Sequence, residues 1–124
     1  MIYLDTHVVV WLYAGKVNML SEHAAELINS HEIIISPVVR LELEYLFEIQ
    51  RITDKANEVI SDLSDRIGLK ICEKNFNTII SRALNFRWTR DPFDCIIVAN
   101  AAVNQNILVT KDQSILENYE KAMW

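Results

Sequence analysis

Four short apolar runs, at residues 2–4, 33–35, 69–72 and 107–110, recur along this chain between stretches of helical periodicity. Each is too short for a buried helix, and the second, Ile33-Ile34-Ile35, is wholly β-branched, as buried strands favour. Short continuous apolar strands separated by helices are the pattern of a parallel sheet covered on both faces. An α/β sandwich of this kind places its sites beyond the carboxyl ends of the strands, near the point where strand order reverses.

The intervening helices carry their own punctuation. Residues 6–13 read either as a continuation of the first strand or as a helix. Ser21 caps a helix over 21–30, and Ser36 with Pro37 in the first helical position opens one that reaches Gln50. Thr53 or Asp54 caps the next, which ends near Ile67 where Gly68 supplies the stop. Residues 75–85 are helical and 86–90 form a loop. Asp91-Pro92 opens a helix ending near Gln105, residues 113–122 form the last, and Met123-Trp124 adds a short edge strand.

At 124 residues the chain suits one domain with a real core. The hydrophobic share of 51% against 23% charged is that of a folded protein. No apolar run nears the roughly 20 residues of a membrane helix, and no basic leader opens the chain, so a soluble cytoplasmic protein is expected. Cys72 and Cys95 stand apart, in no metal-binding spacing, and read as small buried hydrophobes. The net charge of −5 disfavours a general nucleic-acid coat but leaves room for a nuclease that holds phosphate through metal and a few arginines.

Four acids stand at the edges of the apolar segments. Asp5 closes the first run and Asp112 follows the fourth, both strand-end positions. On the helix after Pro37, Arg40, Glu44, Glu48 and Arg51 make one wet stripe, with Glu44 as solvated surface. Glu42 points the other way, among Val38, Tyr45, Leu46 and Ile49. A carboxylate so placed needs an arginine partner, a proton or a metal. Asp94 lines up with Val98 and Ala101 toward the core, although first-turn acids are common in their own right. Asp91 reads as the helix cap, and Asp5 and Asp112 read equally as caps or site residues. Carboxylates gathered from distant segments repel unless a cation lies between them, and hard divalent metal among oxygen ligands suggests phosphate chemistry.

The blocks Y-L-D-T-H-V-V-V-W-L at 3–12, S-P-V-V-R-L-E-L at 36–43, R-D-P-F-D-C-I-I-V-A-N-A at 90–101 and L-V-T-K-D at 108–112 resemble, in order and spacing, PIN-domain ribonucleases of the bacterial VapC toxin type. The resemblance covers nearly the whole chain. It implies a single PIN domain over residues 1–124, with a three-layer α/β/α fold and a short parallel sheet in the order 3-2-1-4-5. It further implies that Asp5, Glu42, Asp94 and Asp112 form a metal-binding and catalytic quartet for Mg²⁺ or Mn²⁺. Asp91, Thr6 and Thr110 would serve as accessories that orient carboxylates or a water. The activity implied is endoribonuclease cleavage leaving a 5′-phosphate and a 3′-hydroxyl. A cognate antitoxin would cover the groove, and a homodimer is the family's usual state; Phe47, close to the wet stripe of the Glu42 helix, is an apolar candidate for that contact. Where an arginine often follows the D-P-F-D motif, this chain has Cys95.

Arg87 and Arg90 flank Trp88 and, with Lys111, are the candidates for gripping RNA phosphates, Trp88 offering a base a stacking surface. His7 is a candidate neighbour of Asp5 with a local structural role, and Trp11 is expected in the core. Two other strand-end-acid folds fit poorly. A phosphoacceptor receiver needs an acid beside Asp5 and an Asp after the third strand; a haloacid-dehalogenase-type phosphatase needs an Asp where His7 stands. A non-catalytic module that keeps the fold and a DNA-directed nuclease remain the alternatives.

Overall fold

The computed structural model describes residues 1–124. Five parallel strands, β1 (Ile2–Leu4), β2 (Ile33–Ile35), β3 (Lys70–Ile71), β4 (Ile107–Val109) and β5 (Ala122–Met123), form one sheet in the order β3-β2-β1-β4-β5. Seven helices cover its faces: α1 (Thr6–Tyr13), α2 (Glu22–Ser30), α3 (Pro37–Glu48), α4 (Ala56–Ile67), α5 (Phe76–Ala83), α6 (Pro92–Ala102) and α7 (Gln113–Asn118). This is a three-layer α/β/α arrangement with the strand order expected from the resemblance, and no helix is long and apolar enough to cross a membrane.

Every residue of β1 and β2 is buried, which is why those strands read as continuous apolar runs rather than alternating ones. The core joins them to Val8 and Val9 of α1, Val39 and Leu43 of α3, Val59 and Leu63 of α4, and Ile97 and Val98 of α6. Caps hold the helix entries in place. Ser21 accepts from Ala24 N, Ser36 from Val38 N and Asn75 from Thr78 N, while Gly68 closes α4 at a φ of +72°.

The structure resolves residues 6–13 as helix α1, and differs from the sequence reading in several places. Neither Thr53 nor Asp54 caps α4. Lys55 occupies the cap position without a side-chain bond, and Glu44 supplies the acceptor instead, 3.1 Å from Ala56 N. Glu44 is therefore a cap donated by another helix, not solvated surface. The last helix stops at Asn118 because Tyr119 turns extended, its hydroxyl bonding Asn106 O, so that Ala122 can pair with Leu108 in β5. Tyr45 and Ile49 are exposed, not gathered around Glu42; the inward line of α3 is Val39 and Leu43. Trp11 is half-buried between the rings of His7 and Trp124, at the surface edge rather than in the core.

Candidate active site

Strand β1 ends at Leu4 and β4 at Val109, side by side in the centre of the sheet, with connections leaving in opposite directions. Backbone pairing continues one step further, Asp5 N donating to Val109 O at 3.1 Å. Above this switch point lies an open cleft of about 480 Å³ lined by Asp5, Glu42, Asp91, Asp94 and Asp112. Five carboxylates from four separate segments thus share one cavity with Thr6, His7 and Arg51.

Each acid is held by its local structure. Asp5, buried to 4% exposure, caps α1 through Thr6 N at 2.8 Å and accepts from the Thr110 hydroxyl at 2.6 Å. Thr110 Oγ1 accepts in turn from Asp112 N at 3.0 Å, and Asp112 Oδ1 caps α7 through Ile115 N. A single buried hydroxyl therefore sets the spacing of two acids on adjacent strand ends. Glu42 accepts from the Thr6 hydroxyl at 2.5 Å. Asp91 caps α6 through Phe93 N and Asp94 N, and Asp94 occupies the first turn of that helix. His7 Nε2 accepts from Lys111 N at 3.0 Å, which leaves the ring proton on Nδ1, 3.6 Å from Asp5 Oδ2.

None of these five carboxylates has a lysine or arginine ion-pair partner. The arginine bridge that would have explained Glu42 structurally does not exist. The electrostatic consequence is marked at two positions. Burial, then repulsion by Asp91, Asp5, Asp112 and Glu42, pushes Asp94 up to about 7. Glu42 is raised chiefly by burial, with Asp5 and Asp91 adding to it and the Thr6 hydrogen bond pulling the other way. No three His, Cys, Asp or Glu side chains close into a metal-ligand set as they stand.

The side chains of the basic residues named from sequence do not line this cleft. Arg87 Nη1 donates to Leu84 O and Phe86 O and so ties off the end of α5. Arg90 is exposed, and Lys111 Nζ sits 5.9 Å over the Trp11 ring. Trp88 is half-buried, 6.0 Å from Phe86 and packed on the core. Cys95 faces α5, its thiol 3.5 Å from Ala83 O, and Cys72 is buried.

The cation in the cleft lining is Arg51, which sequence reasoning set on the wet stripe of α3. The helix ends at Glu48, and Gln50 takes the left-handed conformation, φ +62°. Arg51 N then bonds back to Leu46 O at 2.8 Å, a helix closure that takes Arg51 off the stripe and onto the rim of the acids. A chain reversal at a non-glycine left no mark in the sequence.

Because Thr110 spaces Asp5 and Asp112, Thr110→Val is expected to cost about 1–3 kcal/mol, leaving Asp112 N and a buried carboxylate oxygen short of a partner. Urea denaturation measures that loss. Any activity that uses both acids should fall by about 10–100-fold, as when outer partners of ligands are removed.

A model of the PIN domain family matches residues 2–121. Two solved structures share the fold. VapBC2 from Rickettsia felis bound to a DNA fragment from its promoter aligns with a TM-score of 0.68 at 20% identity, over 94% of this chain and 92% of that one. A toxin–antitoxin complex from Klebsiella pneumoniae aligns with a TM-score of 0.70 at 16% identity, over 100% of this chain and 97% of the other. No curated protein matches significantly.

Proposed function

The chain belongs to the PIN domain family, and on that premise we propose that it is a metal-dependent endoribonuclease, a single domain acting as the toxin of a toxin–antitoxin module. The observation that carries this reading is the convergence of Asp5, Glu42, Asp91, Asp94 and Asp112 on one cleft with no lysine or arginine ion-pair partner, where burial first and then mutual repulsion raise Asp94 to about 7. A fold keeps so costly an arrangement where it serves chemistry. The donor set fits a hard divalent cation: it is all oxygen, and its mutual repulsion is what a cation would relieve.

Asp5, Glu42, Asp94 and Asp112 would hold Mg²⁺ or Mn²⁺, which when bound supplies positive charge to the scissile phosphate and makes the attacking water more acidic. The chain's own contribution is placement. Thr110 and the Thr6 amide fix both oxygens of Asp5, and the Thr6 hydroxyl fixes Glu42, so these two acids are oriented by the chain itself. The net reaction adds water across a phosphodiester bond, breaking the bond to the 3′ oxygen and leaving a 5′-phosphate and a 3′-hydroxyl.

One similar structure is a toxin–antitoxin complex and the other is VapBC2 bound to promoter DNA, and an acidic cleft suits an antitoxin segment that offers arginine or lysine. For a homodimer the exposed line Leu41, Tyr45 and Ile49 on α3 is better suited than Phe47, which is half-buried and lies beneath the Lys55 ammonium. A cytoplasmic site of action follows from an RNA target.

Purified protein should cut total tRNA or ribosomal RNA at discrete positions with Mn²⁺, and stop in EDTA. Asp5→Asn, which keeps an acceptor for Thr6 N, should remain folded and silent. Identical cutting by wild type and Asp5→Asn would remove the catalytic assignment and leave a binding module; cutting confined to DNA would redirect it.

A further inference from the structure

A second, more enclosed pocket of about 270 Å³ adjoins the acid cleft, and Val10, Arg51 and Ile52 line both. Its floor is apolar, Val10 and Ile52 with Val59 of α4. Tyr13 and Asp54, joined by a hydrogen bond from the phenol to the carboxylate, form part of its wall and tie α1 to the 51–55 loop. Two cations stand at its edge, Arg51 and Lys16, both exposed. Neither side chain makes a hydrogen bond or ion pair within the chain, although Arg51 borders five carboxylates.

An RNA strand drawn to the acids brings phosphates on either side of the scissile one, and these need positive charge that carboxylates do not provide. Arg51 is the one lysine or arginine lining the acid cleft, and it stands where that cleft opens into the apolar pocket. Unpaired guanidinium at the junction, apolar floor beyond it and hydrogen-bonding groups on the wall are the elements that bind one splayed nucleotide: its phosphate, its base face and its base edge. At about 270 Å³ the pocket suits a single base and not a duplex.

We propose that Arg51 holds the phosphate next to the scissile one and that the adjoining pocket receives the base of that nucleotide, so that this pocket sets base preference beside the cut. The assignment rests on the ribonuclease reading and concerns single-stranded RNA. Arg51 is a binding residue, and its partner Lys16 adds charge at the far edge.

The test uses labelled single-stranded RNA hexamers varied at one position, with wild type, Arg51→Ala, Arg51→Lys and Ala14→Trp. Ala14 is exposed on the pocket wall in an ordinary helical conformation, so a large side chain there fills the pocket without entering the core. Cleavage is followed with Mn²⁺, and binding by anisotropy against salt in an Asp94→Asn background. Arg51→Ala should raise KM and the dissociation constant about tenfold, with kcat changing far less. It should also reduce the salt slope by about 0.7, the share of one phosphate contact on a single strand. Arg51→Lys should recover most of the slope. Ala14→Trp should keep the slope and alter base preference at the position flanking the cut.

Wild-type cleavage with KM, slope and base preference unchanged in Arg51→Ala and Ala14→Trp would overturn the pocket assignment and leave the ribonuclease reading standing. No cleavage by wild type, with RNA affinity still lost in Arg51→Ala, would overturn the ribonuclease reading and with it the placement beside a cut, leaving Arg51 as an RNA contact only. RNA affinity unaltered while affinity for a partner protein falls would overturn the pocket assignment too, giving the pocket to a protein chain.

Discussion

Asp94→Asn is expected to silence cleavage and, in the metal-free protein above pH 7, to make the fold more stable. The two effects have one cause. Asp94 is raised from 3.8 to about 7, first by burial and then by four neighbouring acids. In the unfolded chain the carboxyl ionises near its ordinary value, so between about pH 4 and 7 the folded protein binds a proton that the unfolded one has lost. This group's contribution to stability is therefore full below about pH 4, declines as pH rises and is gone above about 7, where the ionised form is held at a cost. Asparagine removes that cost. Since Asp94 is only half-buried, solvent screening limits the gain to about 1–2 kcal/mol, or about 4 °C in melting temperature. Activity should fall more than about 100-fold, beyond the loss typical of an outer partner, because a charged oxygen is gone from the acid cluster itself. Melting curves of both proteins in EDTA at pH 5.5 and pH 8 check the first half: the difference should appear at pH 8 and shrink at pH 5.5. Asp94→Asn unfolding more readily at both values would mean that the carboxylate is structural.

The same residues explain how much of this site could be read from sequence. Strand ends are local features: Asp5 and Asp112 follow short apolar runs, and those runs became β1 and β4 with the register that sets the acids side by side. Caps are local too, and Ser21, Ser36 and Asp91 all act at the ends their neighbours predict. What escaped depends on contacts between distant segments. Glu44 caps α4 from across a helix pair, leaving Asp54 free to accept from Tyr13, and neither bond has a signature in spacing. The last helix has a helical pattern through Ala122, yet pairing with β4 outweighs that pattern at Tyr119. Arg51 escaped for a sharper reason: a left-handed Gln50 cost the helix its final turn and moved a cation from the solvent stripe to the cleft. Sequence marks for RNA contact, Arg87 and Arg90 around Trp88, were compositional, and the structure leaves them off the cleft lining.

Leu43→Ala should be the most destabilising of these substitutions, and its consequences should reach the site. Leu43 is fully buried in α3, packed into the same cluster as β1, β2 and α6, while Glu42 beside it in sequence lines the cleft. Truncation removes three carbons from a closed core and leaves a cavity, at about 2–5 kcal/mol. Against the roughly 5–15 kcal/mol that holds a typical domain together, that is a large fraction. Val39 is the other fully buried anchor of α3, helped by half-buried Val38 and by the Glu44 bond to Ala56 N, while its solvent side carries Leu41 and Tyr45. A helix freed to roll swings Glu42 relative to Thr6, so the 2.5 Å bond that positions this carboxylate should loosen. The expected result is a lower urea midpoint together with weaker saturation by Mn²⁺, followed by tryptophan fluorescence and by cleavage against metal concentration. Excess Mn²⁺ should restore part of both, since a ligand that binds only the folded state stabilises it by mass action. A variant that loses stability in full yet saturates with metal like wild type would show that Glu42 is positioned by Thr6 alone. The anchor of Glu42 would then be its hydrogen bond rather than its helix.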